Sequence, residues 1–268
     1  MVATAQDTAH QRPNALVYLR STCYALGLVI STLIYAPLAL LCFPLPHAKR
    51  YKVITGWTRF NLWWLALTCG LDHVVEGLEN VPPEPAVVLC KHQSAWETLA
   101  LQIIFQPQVW VLKRELLWIP FFGWGLAMLR PIAIDRGAGK RAIEQVVEQG
   151  RQRLDSGAFV VVFPEGTRVP PGQKKRYKQG GAALAQRCGR KVVPVAVNSG
   201  EFWPRNSFLK YPGRITMVIG TPLDTEGLSP GAINQRAEAW IEATVSRISG
   251  RPPAHDPGDT RGRQQEQG

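Results

Sequence analysis

An uncharged, mostly apolar run from Ser21 to Phe43 limits the possible folds more than any other feature of the chain. A helix needs about 20 apolar residues to cross the hydrocarbon core of a bilayer, so this run is long enough to span. A cleaved signal peptide fits less well, because its apolar core has about 7–15 residues and a small-x-small cleavage site should follow. Pro37 would kink a helix near its end, so a re-entrant or half-buried hairpin stays open beside a full span.

The charges on the two sides of this run indicate its orientation. Arg12 and Arg20 precede it, and a denser group of bases follows it: His47, Lys49, Arg50, Lys52 and Arg59. Positive charge accumulates on the cytoplasmic side of membrane helices. We therefore expect a membrane protein whose larger, C-terminal part faces the cytoplasm, at the inner membrane if the source is bacterial.

The segment after the run has the composition of a helix that lies on a membrane surface. Residues 47–71 combine these bases with Trp57, Trp63 and Trp64. Basic side chains suit lipid headgroups, and tryptophans suit the boundary between headgroups and acyl chains. We predict a membrane helix over 15–46 and an interfacial helix over 47–71. An ordinary core helix is the alternative for the second segment.

The overall charge and the cysteines narrow the possible partners. The net charge of +11 and the pI of about 9.7 suit a nucleic acid, an anionic membrane or an acidic substrate. The bases neighbour apolar runs and do not form an exposed basic helix, which favours the lipid bilayer over nucleic acid. The five cysteines are scattered without a C-x-x-C pair, so we expect reduced thiols in a cytosol-facing domain and no zinc site.

Residues 72–249 show short apolar runs that alternate with helical patterns. This alternation predicts an α/β domain with a mixed, largely parallel sheet flanked by helices. The tails, 1–14 and 250–268, are polar and are predicted to be flexible and disordered, respectively. The predicted strands lie near 74–75 and at 86–89, 108–112, 131–136, 158–163, 191–197 and 214–220.

Polar residues follow three of these strands directly. His92 follows the strand at 86–89, Arg136 ends the strand at 131–136, and the segment Glu165–Arg168 follows the strand at 158–163. Ligands of open α/β sheets bind outside the carboxyl ends of the strands. We therefore expect these residues to share one site.

His92 and Glu97 form the first candidate pair. A histidine beside an acid that orients it is a common arrangement for a general base. Ser94 and Glu97 also match a capping box for the helix that follows, and Glu97 could serve both purposes. Both interpretations stay open at this point.

Arg136 and Arg168 are the second candidate pair. An arginine fork can bind a phosphate in a bidentate manner, and Gly166 allows a backbone to approach an anion closely. The alternative is a structural salt bridge to Asp135 or Glu165. The residues from Lys174 to Lys178 add a basic loop, in which Lys174 to Arg176 are more often an exposed charged surface than a binding site.

The order of these motifs resembles the lysophosphatidic acid acyltransferase family of glycerolipid acyltransferases. The family's first block, His-x-x-x-x-Asp, is matched from His92 to Glu97 except that glutamate replaces the aspartate. The third block, Phe-Pro-Glu-Gly-Thr-Arg, is matched in full by Phe163–Arg168. Pro131–Arg136 matches the end of the second block and Val193–Val197 the fourth, and the likeness covers roughly residues 50 to 222.

The resemblance implies a reaction. An acyl chain passes from acyl-CoA or acyl-carrier protein to the sn-2 hydroxyl of 1-acylglycerol-3-phosphate, giving phosphatidic acid, with His92 as general base and Glu97 as its orienting acid. It implies no metal and no cofactor beyond the acyl donor. The residues expected to bind the substrate phosphate are Arg136, Glu165, Gly166, Thr167, Arg168 and Lys178.

Three other interpretations stay open. A covalent acyl-enzyme through Ser94 or Cys90 is the less favoured mechanism, since Ser94 has a capping role and Cys90 ends a buried strand. The acceptor could be another lysophospholipid or a lyso-ornithine lipid. The chain could also bind membrane lipid without catalysis, although an intact His–acid pair argues against this.

Overall fold

A seven-stranded sheet forms the centre of the structure, a computed structural model that describes residues 13–135, 137 and 139–252. Its spatial order is β1-β7-β6-β2-β5-β3-β4, and every neighbouring pair is parallel except β6 with β7. This confirms the predicted mixed, largely parallel sheet. The strands are β1 (Leu71–Glu76), β2 (Val87–Cys90), β3 (Gln108–Lys113), β4 (Ile132–Ile134), β5 (Phe159–Val162), β6 (Val192–Val197) and β7 (Gly213–Ile219).

Helices connect these strands and cover both faces of the sheet. Short 3-10 helices also occur at Leu78–Asn80, Arg114–Trp118 and Ser199–Glu201. The predicted tails lie almost wholly outside the described residues, as does Arg136. The α-helices of the described residues are α1 (Ala15–Leu41), α2 (His47–Cys69), α3 (Trp96–Ile104), α4 (Phe122–Ala127), α5 (Lys140–Asp155), α6 (Gly180–Cys188) and α7 (Pro230–Ser249).

Strand β5 shows how the two faces are built. Phe159 and Val161 pack into one core with α2 and α3, whereas Val160 and Val162 pack into a second core with α5, α6 and α7. Successive strand residues point to opposite faces, so a strand covered on both sides must be apolar throughout. The continuous apolar sequence of β5 has this cause.

Helix α1 is the one helix in the described part of the chain that is long and apolar enough to cross a membrane. It nevertheless packs along α2 as an antiparallel hairpin. Trp64 Nε1 donates to the carbonyl of Cys23 at 3.1 Å, and Asn61 Nδ2 donates to Ser31 Oγ at 3.3 Å. Gly27 permits this approach, because a Cβ atom there would lie 2.0 Å from Trp64 Nε1.

The hairpin is attached to the sheet on one side and exposed on the other. The backbone N–H of Lys210 donates to Ser21 Oγ at 3.0 Å, which ties α1 to the α/β domain. In α2, Leu65 is fully buried whereas Trp63 is exposed, so this helix combines a core face with an apolar outer face. The large apolar side chains that α1 exposes include Leu19, Leu26, Val29, Ile30, Leu33 and Ile34.

Candidate active site

His92 lies in the turn between β2 and α3, called the β2 turn here (Lys91–Ala95). Its Nδ1 atom is 2.8 Å from Oε1 of Glu97, whose side chain has no exposed surface. An ionised carboxylate only accepts hydrogen bonds, so Nδ1 is the donor and Nε2 keeps the lone pair. The imidazole is therefore held in the tautomer that a general base requires.

Glu97 accepts hydrogen bonds from more than His92. Its Oε1 accepts from the backbone N–H groups of Gln93 at 2.7 Å and Ser94 at 2.8 Å. Its Oε2 accepts from the hydroxyls of Ser94 at 2.8 Å and Ser199 at 2.7 Å. Burial by itself would raise the pKa of Glu97, but these bonds and the His92 partner outweigh it, so the pKa lies below its ordinary value.

The capping and orienting interpretations of Glu97 turn out to be compatible. Ser94 Oγ accepts from the backbone N–H of Trp96 at 2.9 Å, at the start of α3, while Glu97 accepts from the backbone N–H of Ser94. The same carboxylate oxygen also contacts His92. The Glu97 side chain thus caps the start of α3 and also orients the imidazole.

Ser199 is a contact that sequence reasoning missed. It lies in the 3-10 helix after β6, 102 positions from Glu97, and is fully buried. No local motif marks it. Only the pairing of β6 with β2 brings the ends of these two strands, and hence the two side chains, together.

The turn after β5, called the β5 turn here (Phe163–Val169), packs against His92. The Phe163 ring stacks on the imidazole with 3.9 Å between centroids and 16° between planes. Val169 N donates to the His92 carbonyl at 2.8 Å, and His92 N donates to Glu165 Oε2 at 3.1 Å. The β5 turn therefore fixes both the ring and the backbone of His92.

Glu165 is fully buried beneath this contact. Its side chain has no exposed surface, and Lys91 Nζ lies 2.8 Å from its Oε1. Burial raises the pKa of Glu165 to about 7, although Lys91 and the His92 N–H act in the opposite direction. The family resemblance implied a phosphate-binding role for Glu165, whereas in the structure its carboxylate contacts Lys91 and the His92 backbone N–H.

The other residues of the β5 turn lie nearer the surface. Gly166 has φ 69°, and a Cβ atom there would meet Lys178 Cε at 2.9 Å, so glycine lets this lysine lie over the turn. Thr167 is half-buried beside it. Arg168 is half-buried too, and among the described residues it forms no ion pair, so the salt bridge to Glu165 or Asp135 that was the alternative for Arg168 is not present.

A cavity of about 490 Å³ opens beside His92. Its walls are mostly apolar and come from α1, α2, α3, β3 and α4, with His92, Phe163 and Arg168 in the lining. Such a shape suits a long apolar group oriented by few polar contacts. In the residues that the structure describes, no group of three or more His, Cys, Asp or Glu side chains is placed to hold a metal ion.

Known proteins with similar sequences identify the family. A family model described as Acyltransferase matches residues 72–198. A 1-acyl-sn-glycerol-3-phosphate acyltransferase from Pseudomonas aeruginosa is 47% identical over 236 residues, which is 86% of this chain and 92% of that protein. The chain belongs to the lysophosphatidic acid acyltransferase family. A second member, from Saccharomyces cerevisiae, is 29% identical over 87% of this chain and 78% of its own length.

The fold agrees with that of a solved structure. The crystal structure of the 1-acyl-sn-glycerophosphate (LPA) acyltransferase PlsC from Thermotoga maritima superposes with a TM-score of 0.74 at 24% identity. The match covers 88% of this chain and 97% of the other.

Membership of the lysophosphatidic acid acyltransferase family makes this chain an acyltransferase. The family resemblance also identifies one local departure, Glu97 in place of aspartate. In the structure the longer side chain still reaches His92, and its second oxygen reaches Ser199. Arg136, which the resemblance also marks, lies outside the described residues.

Proposed function

We propose that this enzyme transfers an acyl group from acyl-CoA or acyl-carrier protein to the sn-2 hydroxyl of 1-acylglycerol-3-phosphate, which yields phosphatidic acid. The observation that supports this most is the His92–Glu97 pair, joined at 2.8 Å, in a chain whose His92 and Arg168 line one apolar cavity of about 490 Å³. The relatives that share most of the chain are named for this acceptor.

The chemistry begins at His92. Nε2 takes the proton of the sn-2 hydroxyl as the hydroxyl oxygen attacks the thioester carbonyl. The tetrahedral intermediate then breaks its C–S bond, and the imidazolium returns the proton to the leaving sulfur. The ionised Glu97 stabilises the imidazolium between these steps, as the acid of a catalytic triad does.

Direct attack fits the surroundings better than an acyl-enzyme does. Ser94 Oγ is engaged with Trp96 N and with Glu97. Cys90 is fully buried, and this burial raises the pKa of its thiol well above the ordinary value, so it stays protonated. Neither side chain is an activated nucleophile.

The acceptor phosphate binds in this proposal at the β5 turn. Arg168 has no competing ion pair among the described residues, and the ammonium of Lys178 lies over Gly166. Arg168 lines the cavity and Lys178 lies over the β5 turn, and both can give charge-assisted hydrogen bonds to phosphate oxygens. Thr167 adds a hydroxyl, and Arg136 remains a further candidate from the sequence.

The experiment that tests the function is an acyl-transfer assay in membranes with radiolabelled acyl-CoA and a panel of lyso-acceptors. We expect label in phosphatidic acid, and we expect His92→Ala to lower kcat by about 10²–10⁴ while the protein stays folded. Faster labelling of another lysophospholipid or of a lyso-ornithine lipid than of 1-acylglycerol-3-phosphate would identify a different acceptor. No His92-dependent product with any acceptor or donor would favour the lipid-binding alternative.

The same proposal includes attachment to the membrane through the hairpin of α1 and α2. One side of the hairpin packs on the domain and the other exposes Leu26, Ile34 and Trp63, which is the pattern of a helix pair partly immersed in lipid. We expect the protein to stay with membranes through a high-salt wash. Leu26→Glu with Ile34→Glu should release it into the wash, and release of the unaltered protein by salt alone would contradict the proposal.

A further inference from the structure

Lys91, the residue before His92, is a buried lysine. Its side chain is 1% exposed. Nζ donates to the carbonyl of Gln173 at 3.1 Å and to Glu242, at 2.8 Å to Oε1 and 3.1 Å to Oε2. It also lies 2.8 Å from Glu165 Oε1, an ion-pair contact without the angles of a hydrogen bond. Lysine is almost never fully buried unless it is paired in this way.

These partners come from three separate parts of the fold. Glu165 belongs to the β5 turn, Gln173 to the loop before α6, and Glu242 to α7, 151 positions along the chain. Tyr177 donates to Glu242 Oε1 at 3.2 Å and so completes the group. Lys91 thus joins the β2 turn to α7.

The arrangement does not suit a direct role in phosphate binding. An ammonium has three hydrogens, and the protein already offers Lys91 Nζ the Gln173 carbonyl and both oxygens of Glu242. Lys91 also has almost no exposed surface. A substrate phosphate would have to displace a buried carboxylate to reach it.

Stability alone is a weak explanation for the group. Buried ion pairs contribute little net stability, because desolvation of the charges offsets their attraction, and apolar replacements are often tolerated. The position of the group is more informative. Lys91 is covalently next to His92, and Glu165 accepts the His92 backbone N–H at 3.1 Å.

We propose that Lys91, Glu165 and Glu242 are positioning residues that hold the backbone of His92 in register with Glu97 and the cavity. The role rests on the proposed function of His92 as general base. In this arrangement α7 supports the active site from behind through Glu242, although it does not line the cavity beside His92.

The variant that tests this is Lys91→Met with Glu242→Gln, which removes one charge of each sign. The remaining Glu165 can take up a proton and become neutral. We expect kcat to fall about ten- to a hundred-fold, the usual effect of a misplaced catalytic group. The acceptor KM should stay within about twofold, since no phosphate contact is lost. Glu242→Gln alone keeps an acceptor for Lys91 and should show a smaller fall in kcat.

A matched control exists on the surface. Lys191 and Asp224 form an exposed pair at 3.5 Å. Lys191→Met with Asp224→Asn makes the same chemical changes away from His92, and we expect its kcat and KM to equal those of the unaltered enzyme.

A second measurement does not depend on acyl transfer. Carbethoxylation of His92 by diethyl pyrocarbonate, followed by mass spectrometry, reports how firmly the ring is held between Phe163 and Glu97. We expect the Lys91/Glu242 double variant to react several-fold faster than the control. The double variant could react faster while the unaltered enzyme transfers no acyl group in the assay. That pair of results would overturn the proposed function and retain the positioning role.

Three outcomes would overturn the positioning role. One is an unchanged kcat in the folded double variant with only a lower Tm, which would show a purely structural ion pair. Another is a raised acceptor KM at unchanged kcat, which would show substrate binding. The third is an unchanged rate of His92 modification. If the double variant does not fold, Glu242→Gln alone is judged by the same three measurements.

Discussion

The β2 turn and the β5 turn meet at His92, and each is associated with a buried glutamate that contacts this residue. Glu97 accepts from the imidazole and Glu165 from the backbone N–H. Neither carboxylate has exposed surface. Their pKa values nevertheless move in opposite directions, below the ordinary value for Glu97 and up to about 7 for Glu165.

The number of donors explains the difference. Glu97 accepts from His92, from two backbone N–H groups and from the hydroxyls of Ser94 and Ser199. Glu165 accepts from one backbone N–H, that of His92, and it shares the Lys91 ammonium with Glu242. The negative charge of Glu242 raises the pKa of Glu165 further. Burial alone therefore does not decide whether a carboxylate is ionised. Of these two glutamates, only Glu97 has enough hydrogen-bond donors to remain charged beside an imidazolium.

The difference between the two glutamates implies that the two turns have different roles, and Arg168→Ala should give the largest effect among the tests of this idea. If the β5 turn binds the acceptor and the β2 turn performs the chemistry, this change should raise the acceptor KM about ten- to a hundred-fold. The estimate follows from the loss of a charge-assisted hydrogen bond of about 1.5–3 kcal/mol. Steady-state kinetics with the acceptor and the acyl donor varied separately would measure it.

The control for Arg168 is Arg214→Ala, because Arg214 is an exposed arginine whose nearest acid is Asp72 at 3.8 Å. Its KM values should not change. An equal rise in KM for donor and acceptor in Arg168→Ala would argue against phosphate binding at the β5 turn.

Glu97→Gln tests the β2 turn, with an expected fall in kcat of at least about tenfold, which is less than the roughly 10²–10⁴-fold expected when the general base itself is removed. An amide oxygen can still accept from His92 and the two backbone N–H groups, and the amide NH₂ can donate to the Ser94 and Ser199 hydroxyls. The fold should therefore survive, while the charge that favours imidazolium is lost. Full activity with reduced stability would mean that Glu97 only caps α3.

Glu97→Asp refines the same test. It keeps the charge, and the family block has aspartate here, so activity should exceed that of Glu97→Gln. The carboxylate is pulled back by one methylene, however, and contacts with both His92 and Ser199 cannot all be kept. Ser199→Ala, which removes one of five donors to Glu97, should show a smaller fall in kcat than either change.

The sequence predicted the fold well because the fold depends on local patterns. The apolar run at 158–163 predicted a strand, and β5 spans Phe159–Val162 with every residue buried. The strand predicted at 191–197 is β6, which spans Val192–Val197. The His92–Glu97 contact was also within reach, because it joins residues five positions apart across one turn.

The contacts that sequence reasoning missed are long-range. Lys91 directly follows the strand predicted at 86–89, whereas its partner Glu242 lies on α7, 151 positions along the chain. Ser199 reaches Glu97 only through the pairing of β2 with β6. For Glu165, the motif marked an important position, but its orientation depends on the buried Lys91, which no local spacing reveals.

The smallest expected effect is on the pH dependence of stability. Glu165 and Glu97 should change the free energy of unfolding in opposite directions as the pH rises. The folded pKa of Glu165, about 7, lies above the ordinary value of 4.5, so the folded state binds this proton more tightly than the unfolded state does. Its contribution to the free energy of unfolding is full below about pH 4.5 and declines as the pH rises to about 7, by up to about 1.4 kcal/mol per pH unit. Glu97, with its lowered pKa, contributes in the opposite sense, and its stabilisation is lost as the pH falls.

Glu165→Gln should therefore remove a decline in stability between about pH 5 and 7. The measurement is denaturant unfolding in detergent micelles at several pH values, compared with the unaltered protein and with Glu97→Gln. The difference in unfolding free energy between Glu165→Gln and the unaltered protein should change steadily across this range and level off above it. For Glu97→Gln the corresponding difference should change only at lower pH and with the opposite slope. If the plots of unfolding free energy against pH were parallel for Glu165→Gln and the unaltered protein, Glu165 would be ionised across the whole pH range. Lys91 would then stabilise the ionised carboxylate of Glu165 more strongly than the comparison of the two turns implies.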